Sequence, residues 1–252
     1  MDNSKEEIHL ERLRWPQVEQ LLQSGFTTVI VPCGAVEQHG PHLPLFMDAE
    51  HGTRLGAEVA RRMGKTLVAP TLRVGCSEHH MDFPGTLTLE KETFQAVCRD
   101  YCKSLSRHGF KRICLLPTHG GNFQPIDEIV GELNEVVGPG SCVVAYTDLM
   151  GIVELWKGAA ESVAGLGDRV GGHADIAESS IMLVMHEELV AMDQADVGYF
   201  PESEVAVRKI IRDGLKSVTP NGILGDARGM SREIGQRCIA DLADLLACHF
   251  TD

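Results

Sequence analysis

The stretch VIVPCGAVEQHGPHLPLFMD, residues 29–48, decides how the rest of the chain reads. It opens as an apolar, β-branched run, breaks at Pro32 and Gly34, and then presents Glu37, His39 and, nine residues on, Asp48. Along an extended backbone residues i and i+2 share a face, so Glu37 and His39 point to one spot if the strand geometry continues past Gly34. Gly40, Pro41 and Pro44 provide a loop able to return Asp48 to that spot. Two carboxylates and an imidazole suit zinc, manganese or iron(II). The alternative is a set of solvated loop residues at a strand end, and the remainder of the chain must decide between them.

Working outward, residues 15–22 carry apolar side chains at helical spacing and stop at Ser24-Gly25, so a helix precedes the strand of residues 27–31. That strand is too uniformly apolar to be half exposed, as expected of a parallel sheet covered on both faces. Residues 49–63 read as an amphipathic helix ending at Gly64. The strand, loop and helix order then repeats. A strand at 66–69 is followed by the loop VGCSEHHMDFPGTLTL, a helix at 90–108 and a strand at 111–117. This last strand delivers His119, Gly120, Gly121 and Asn122 at its carboxyl end, where ligands collect in α/β sheets. Its two glycines let backbone approach a ligand closely at the start of a helix over 124–137.

A strand at 141–146 and a helix at 149–156 follow, with 164–172 read as a flexible connection. Next, a helix starting near His173 carries Glu178 into an apolar run, and a charge on a buried helix needs a partner, either a metal or an arginine. Residues 193–229 read as loops with a possible strand or helix, and 231–249 as a closing packing helix.

The bulk composition bounds the function. With 252 residues, 43% hydrophobic and 23% charged, the chain supports one substantial α/β core, read as a single domain over 1–252. A formal net charge of -13 and no Lys/Arg-rich run disfavour nucleic acid. No stretch approaches the roughly 18–20 apolar residues of a membrane span, and the charged N-terminus lacks a signal-peptide core, so a soluble, cytoplasmic protein with no membrane partner is expected. The eight cysteines form no C-x-x-C pair and read as reduced, buried small hydrophobes. A P-loop, G-x-G-x-x-G, G-x-S-x-G and H-E-x-x-H are all missing from the sequence, which removes the usual support for nucleotide binding or serine hydrolysis.

Taken together, GAVEQHGPHLPL with Asp48, SEHHMDFPGTLTL, HGGN, and H-A-x-x-x-E-S-S before an apolar helix resemble the creatininase (creatinine amidohydrolase) family over roughly residues 10–245. The resemblance implies an α/β three-layer sandwich, a mainly parallel central sheet flanked by helices, with two divalent metal ions at its carboxyl edge. These are expected to be zinc, with manganese or iron(II) as alternatives. By motif matching, Glu37 and His119 would hold one ion and His39 the other, Asp48 would bridge, and Glu178 would complete the second site. His173 matches the family's catalytic histidine and would pass a proton to a departing nitrogen; the alternatives are a ligand or a capping residue.

The implied activity is hydrolysis of a C–N bond in a small cyclic amide, lactam or formamide. Deformylation of a pyrimidine intermediate, trimming of a modified peptide, opening of a cyclic ketone, and a non-catalytic metal-binding member are alternatives. Two departures bear on substrate. The creatinine-hydrolysing branch has Glu where this chain has Gly121, and many members read H-A-G-E where this one has Asp175 and Ile176. Ser77, Glu78, His79, Gly120, Gly121 and Asp175 are the residues expected to touch a small-molecule substrate. A homo-oligomer, a hexamer built as a trimer of dimers, is also implied.

Overall fold

In the computed structural model, which describes residues 7–200, 209–210 and 212–251, the apolar run becomes β1 (Thr28–Cys33), buried at every position after Thr28. A parallel strand of that kind needs neighbours on both edges and cover on both faces. β2 (Thr66–Val68) and β3 (Arg112–Pro117) take the edges, and β4 (Cys142–Ala145) pairs beyond β3. Every pair is parallel, with Val29 in register with Leu67 and Ile113. Parallel neighbours require crossovers, which helices supply. The crossovers are α2 (Met47–Met63), α3 (Lys91–Arg107) and α4 (Gly120–Val137); α1 (Trp15–Gln23) precedes β1, and α5 (Leu149–Ala164), α6 (Ile176–His186) and α7 (Arg232–Thr251) follow β4.

Side-chain alternation along the strands divides the core into two layers. Val29, Val31, Leu67, Ile113 and Leu115 pack toward α1, α3 and α4. Ile30, Val68, Cys114 and Leu116 pack toward α2, α5, α6 and α7. The expected α/β sandwich with a mainly parallel central sheet is therefore the observed one. Among the described residues, no helix is long and apolar enough to cross a membrane.

Several boundaries differ from expectation, each for a local reason. Helix α2 begins at Met47, which places Asp48 in its first turn. Helix α4 begins at Gly120, with His119 at its N-cap. Helix α6 begins at Ile176 rather than near His173, because the Asp175 carboxylate accepts hydrogen bonds from the amides of Ala177 and Glu178 and so starts the helix there. Helix α5 runs on to Ala164, where Gly165 takes a left-handed conformation. The supposed flexible connection after it contains β5 (Val170–His173), paired antiparallel with β6 (Leu224–Gly225). Part of the 193–229 region, residues 201–208 and 211, lies outside the described residues.

What brings Asp48 over the sheet edge is a close approach at Gly34. A Cβ added there would stand 2.6 Å from Ala49 Cα and 2.8 Å from the carbonyl carbon of Asp48. Only glycine lets the first turn of α2 rest against the chain leaving β1. Gly34→Ala is therefore expected to lower unfolding free energy by roughly 1–3 kcal/mol, the usual cost of overpacking, read as a lower urea midpoint with unchanged slope.

Candidate metal centre

Six side chains from five segments converge at the carboxyl edge of the sheet. The chain leaving β1 supplies Glu37 and His39, α2 supplies Asp48, the N-cap of α4 supplies His119, the end of β5 supplies His173, and the first turn of α6 supplies Glu178. All six are buried. Three carboxylates in one dry spot cost several kcal/mol each unless positive charge compensates them.

The geometry is organised around Asp48. Its Oδ1 lies 3.1 Å from His39 Nε2, and its Oδ2 lies 3.2 Å from His119 Nδ1. His119 Nδ1 is also 3.1 Å from Glu37 Oε1, and His39 Nε2 is 3.7 Å from Glu178 Oε2. Glu37, Asp48 and His119 thus form one set of donor atoms within 4.8 Å of one another, and His39, Asp48 and Glu178 form a second. Glu37, His39 and His173 form a third. Glu37 Oε2 and Asp48 Oδ2 are buried without a hydrogen-bond partner among the described residues, so the cluster's acceptors are not satisfied by its own donors.

The outer ring nitrogens show how the imidazoles are oriented. His39 Nδ1 is 3.2 Å from the Glu37 carbonyl oxygen, and His119 Nε2 is 3.0 Å from that of Cys76. A carbonyl only accepts, so each ring donates outward and turns its other nitrogen toward the carboxylates, the arrangement that metal-ligating histidines adopt. Without a cation, protons fill that place. Burial opposes charge on His39, but the Asp48, Glu178 and Glu37 carboxylates outweigh it and raise its pKa to about 10. Burial likewise opposes charge on His119, and Glu37 and Asp48 raise it well above the ordinary value. Burial pushes Asp48 up, yet the two imidazoles hold it well below the usual carboxylate range. Glu178, short of such partners, is pushed up to about 8 by burial.

His173 is held differently. Its Nε2 sits 3.0 Å from the Gln38 carbonyl oxygen and 2.8 Å from Gln38 Nε2. The Gln38 amide is itself fixed, accepting from the Gly40 amide at Oε1 and donating to the Gly222 carbonyl. His173 Nδ1 faces Glu37 Oε1 and Glu178 Oε2, both at 3.9 Å. Burial, reinforced by the neighbouring His39, drives its pKa well below the ordinary value, so the ring is neutral.

The residues expected to touch substrate sort into two groups. His79 and Gly120 line the cavity above the cluster. Ser77 lies behind His119, its Oγ 3.3 Å from Nε2, and Glu78 is exposed and outside the cavity wall. Gly121 is a space-keeper, since a Cβ there would meet the Cys76 carbonyl oxygen and His119 Nε2, at 2.1 and 2.5 Å. A glutamate at this position would have no room on this backbone. Asp175 is a clamp, its carboxylate accepting from four backbone amides, those of Gly171, Gly172, Ala177 and Glu178. Those bonds hold Ala174 at φ +52°, costly for a residue with a Cβ, and its amide donates to Glu178 Oε2.

Sequence reasoning missed Gln38, His80 and Asn122. Strand alternation turns Gln38 away from Glu37 and His39, but regular strand ends at Cys33, and Gln38 reaches both His80 and His173. Asn122 ties α4 to β1 by donating to the Cys33 and Gly34 carbonyls while accepting from the Cys76 amide. The available signal was that Gln38 and His80 each adjoin a ligand-type residue and that Asn122 closes the HGGN motif.

Comparison with known proteins places these features in a wider set. The sequence model of the creatininase family, described as creatinine amidohydrolase, matches residues 11–249. A mycofactocin precursor peptide peptidase from Mycobacterium ulcerans is 28% identical over 88% of this chain and 84% of its own. A creatinine amidohydrolase from Pseudomonas putida is 28% identical over 96% and 97%. Solved creatininase structures superpose with a TM-score of 0.76 over 98% of this chain and 100% of theirs, one a Zn–Zn form at 26% identity and one a manganese form at 25%.

The clamp assignment of Asp175 has a direct check. Asp175→Ala strands four amides, two of them buried and two part-buried, and is expected to cost at least roughly 2 kcal/mol of stability, seen as a lower Tm in the absence of any substrate. A substrate-contact residue would leave Tm unchanged and alter only KM.

Proposed function

We propose, from the premise that this chain belongs to the creatininase family, that it is a metal-dependent amidohydrolase cleaving an amide C–N bond at a dinuclear centre. The observation that carries this reading is the pair of donor sets sharing Asp48, each with an imidazole whose outer nitrogen is anchored to a backbone carbonyl. Glu37, His119 and Asp48 would hold one ion, and His39, Asp48 and Glu178 the other. Mixed nitrogen and oxygen donors suit zinc, with manganese or iron(II) as alternatives. The zinc and manganese forms among the related structures support that choice. When bound, such ions lower the pKa of a coordinated water and polarise a substrate carbonyl.

The protein's own groups supply the rest. Neutral His173 accepts a proton at Nδ1 and returns it to the departing nitrogen, which leaves poorly as an anion. Gln38 fixes the ring by accepting from Nε2–H at its backbone carbonyl, so proton transfer occurs at the nitrogen facing the carboxylates. A cavity of about 800 Å³ opens over the cluster, with apolar walls exceeding polar ones, which limits competing water. A lactam or formamide fits readily, and the volume also admits a larger amide such as a modified peptide segment. Gly121, standing where the creatinine-hydrolysing branch has Glu, argues against creatinine. Assembly as a homo-oligomer is part of the same proposal, and light scattering on the purified protein tests it.

Metal analysis of protein purified without chelators is expected to give two ions per chain in wild type and about one in Glu178→Ala. His173→Ala is expected to keep both ions while losing about 10²- to 10⁴-fold in turnover on any amide substrate, the usual share of a general acid–base. Loss of metal in His173→Ala would instead make it a ligand, as the third donor set allows. Metal uptake must also release protons, because His39 and His119 have raised pKa values and Glu178 titrates near 8 in the metal-free protein. Affinity is therefore expected to fall as pH drops from 8 to 6, and titration calorimetry in buffers of different ionisation enthalpy reads the protons directly.

A further inference from the structure

One helical turn beyond Asp48 on α2, the same cavity contains a polar pair that the metal chemistry does not use. His51 is 1% exposed, and both of its ring nitrogens lack a hydrogen-bond partner among the described residues. Trp156 on α5 is 6% exposed, and its indole N–H is also unpartnered among the described residues. Their rings lie 5.8 Å apart, centroid to centroid, and both residues line the cavity that reaches Glu37, Asp48, His119 and Glu178. Leu55, Ile152, Val153, Leu242 and Leu246 line the same cavity, whose wall is mainly apolar. Each unsatisfied buried polar group costs about 1–3 kcal/mol, and two side chains sharing that defect in one apolar pocket point to a group they jointly receive.

Burial holds His51 at a pKa of about 4, so at neutral pH its ring offers one N–H and one bare nitrogen. With the Trp156 N–H, the pair presents two donors and one acceptor. The matching group has two accepting lone pairs and one donor, as a hydroxyl or a carboxamide does. A carboxylate lacks the donor, and a hydrocarbon lacks both.

We infer that His51 and Trp156 form a specificity subsite for an uncharged hydroxyl or carboxamide carried on an apolar part of the substrate, adjacent to the bond being cleaved. This rests on the reading of the cavity as the substrate cavity of an amidohydrolase. It makes the preferred substrate an amide with a second, neutral hydrogen-bonding end.

The chain has two tryptophans, and Trp15 is 77% exposed, so Trp15→Phe leaves Trp156 as the only indole reporter. Zinc-loaded Trp15→Phe protein would be titrated with four probes sharing one ring: benzyl alcohol, benzamide, benzoate and toluene. The first two are expected to shift Trp156 emission saturably, with dissociation constants about tenfold below those of the last two, the effect of one net hydrogen bond. Adding His51→Leu should abolish that preference and raise Tm in the absence of ligand, since it removes an unsatisfied polar group. Competition with an environment-sensitive apolar dye, displaced by the same four probes, repeats the test in Trp156→Phe, which keeps the fold if His51→Leu does not.

Equal binding of all four probes, or a preference surviving both substitutions, overturns the subsite. A preference that survives His51→Leu but disappears in Glu178→Ala places the probes on the metal centre, which overturns the subsite and leaves the amidohydrolase reading intact. A preference lost in His51→Leu and retained in Glu178→Ala supports the subsite even if no C–N hydrolysis is found.

Discussion

The buried carboxylate of Asp48 is the constraint on which the rest of the site depends. It sits in the first turn of α2, flanked by His39 on one oxygen and His119 on the other. Glu37 and Glu178 stand just beyond them. Such a cluster is stable only when positive charge is shared through it, whether as protons on the imidazoles or as metal ions. The outward hydrogen bonds from His39 and His119 to backbone carbonyls commit the inner nitrogens to that shared charge. The same bonds prevent the rings from rotating to find other partners.

Around this centre lies a layer of residues that fix positions without touching the chemistry. Asn122 joins the start of α4 to the end of β1, Asp175 starts α6 and closes the turn that follows β5, and Thr118 donates to the Asp48 carbonyl. Gln38 locks His173 from outside the cluster. Gly34 and Gly121 contribute by having no side chain, letting α2 and the 76–79 segment approach the two strand ends. Several residues that resemble substrate contacts in sequence prove to belong to this layer, because a polar side chain near a ligand residue is as useful for orienting it as for binding substrate.

The cavity joins two environments of opposite character. The buried ionisable cluster lies in its wall together with a run of aliphatic side chains that also holds His51 and Trp156. A substrate touching both would have its scissile amide at the cluster, while an apolar portion is desolvated against the aliphatic side chains. Such division lets binding energy from the remote part orient the reacting bond.

Much of this was legible in the chain itself. Apolar stretches within 27–31, 66–69 and 111–117 specify buried parallel strands, because a sheet covered on both faces accepts such sequences. Glu37, His39, Asp48, His119 and Glu178 stood out as ligand-type residues near strand ends or helix starts, while His173 was singled out by the family resemblance. Tertiary structure alone decided the matters that depend on hydrogen-bond satisfaction between distant segments. It made Asp175 a clamp rather than a contact, turned Glu78 to solvent, and recruited Gln38 to His173. It also placed His51 from α2 beside Trp156 from α5, two residues with nothing in their own neighbourhoods to mark them. Periodicity and motif spacing report which face a residue occupies, whereas the partner of a buried polar atom is set by whichever segment packs against it.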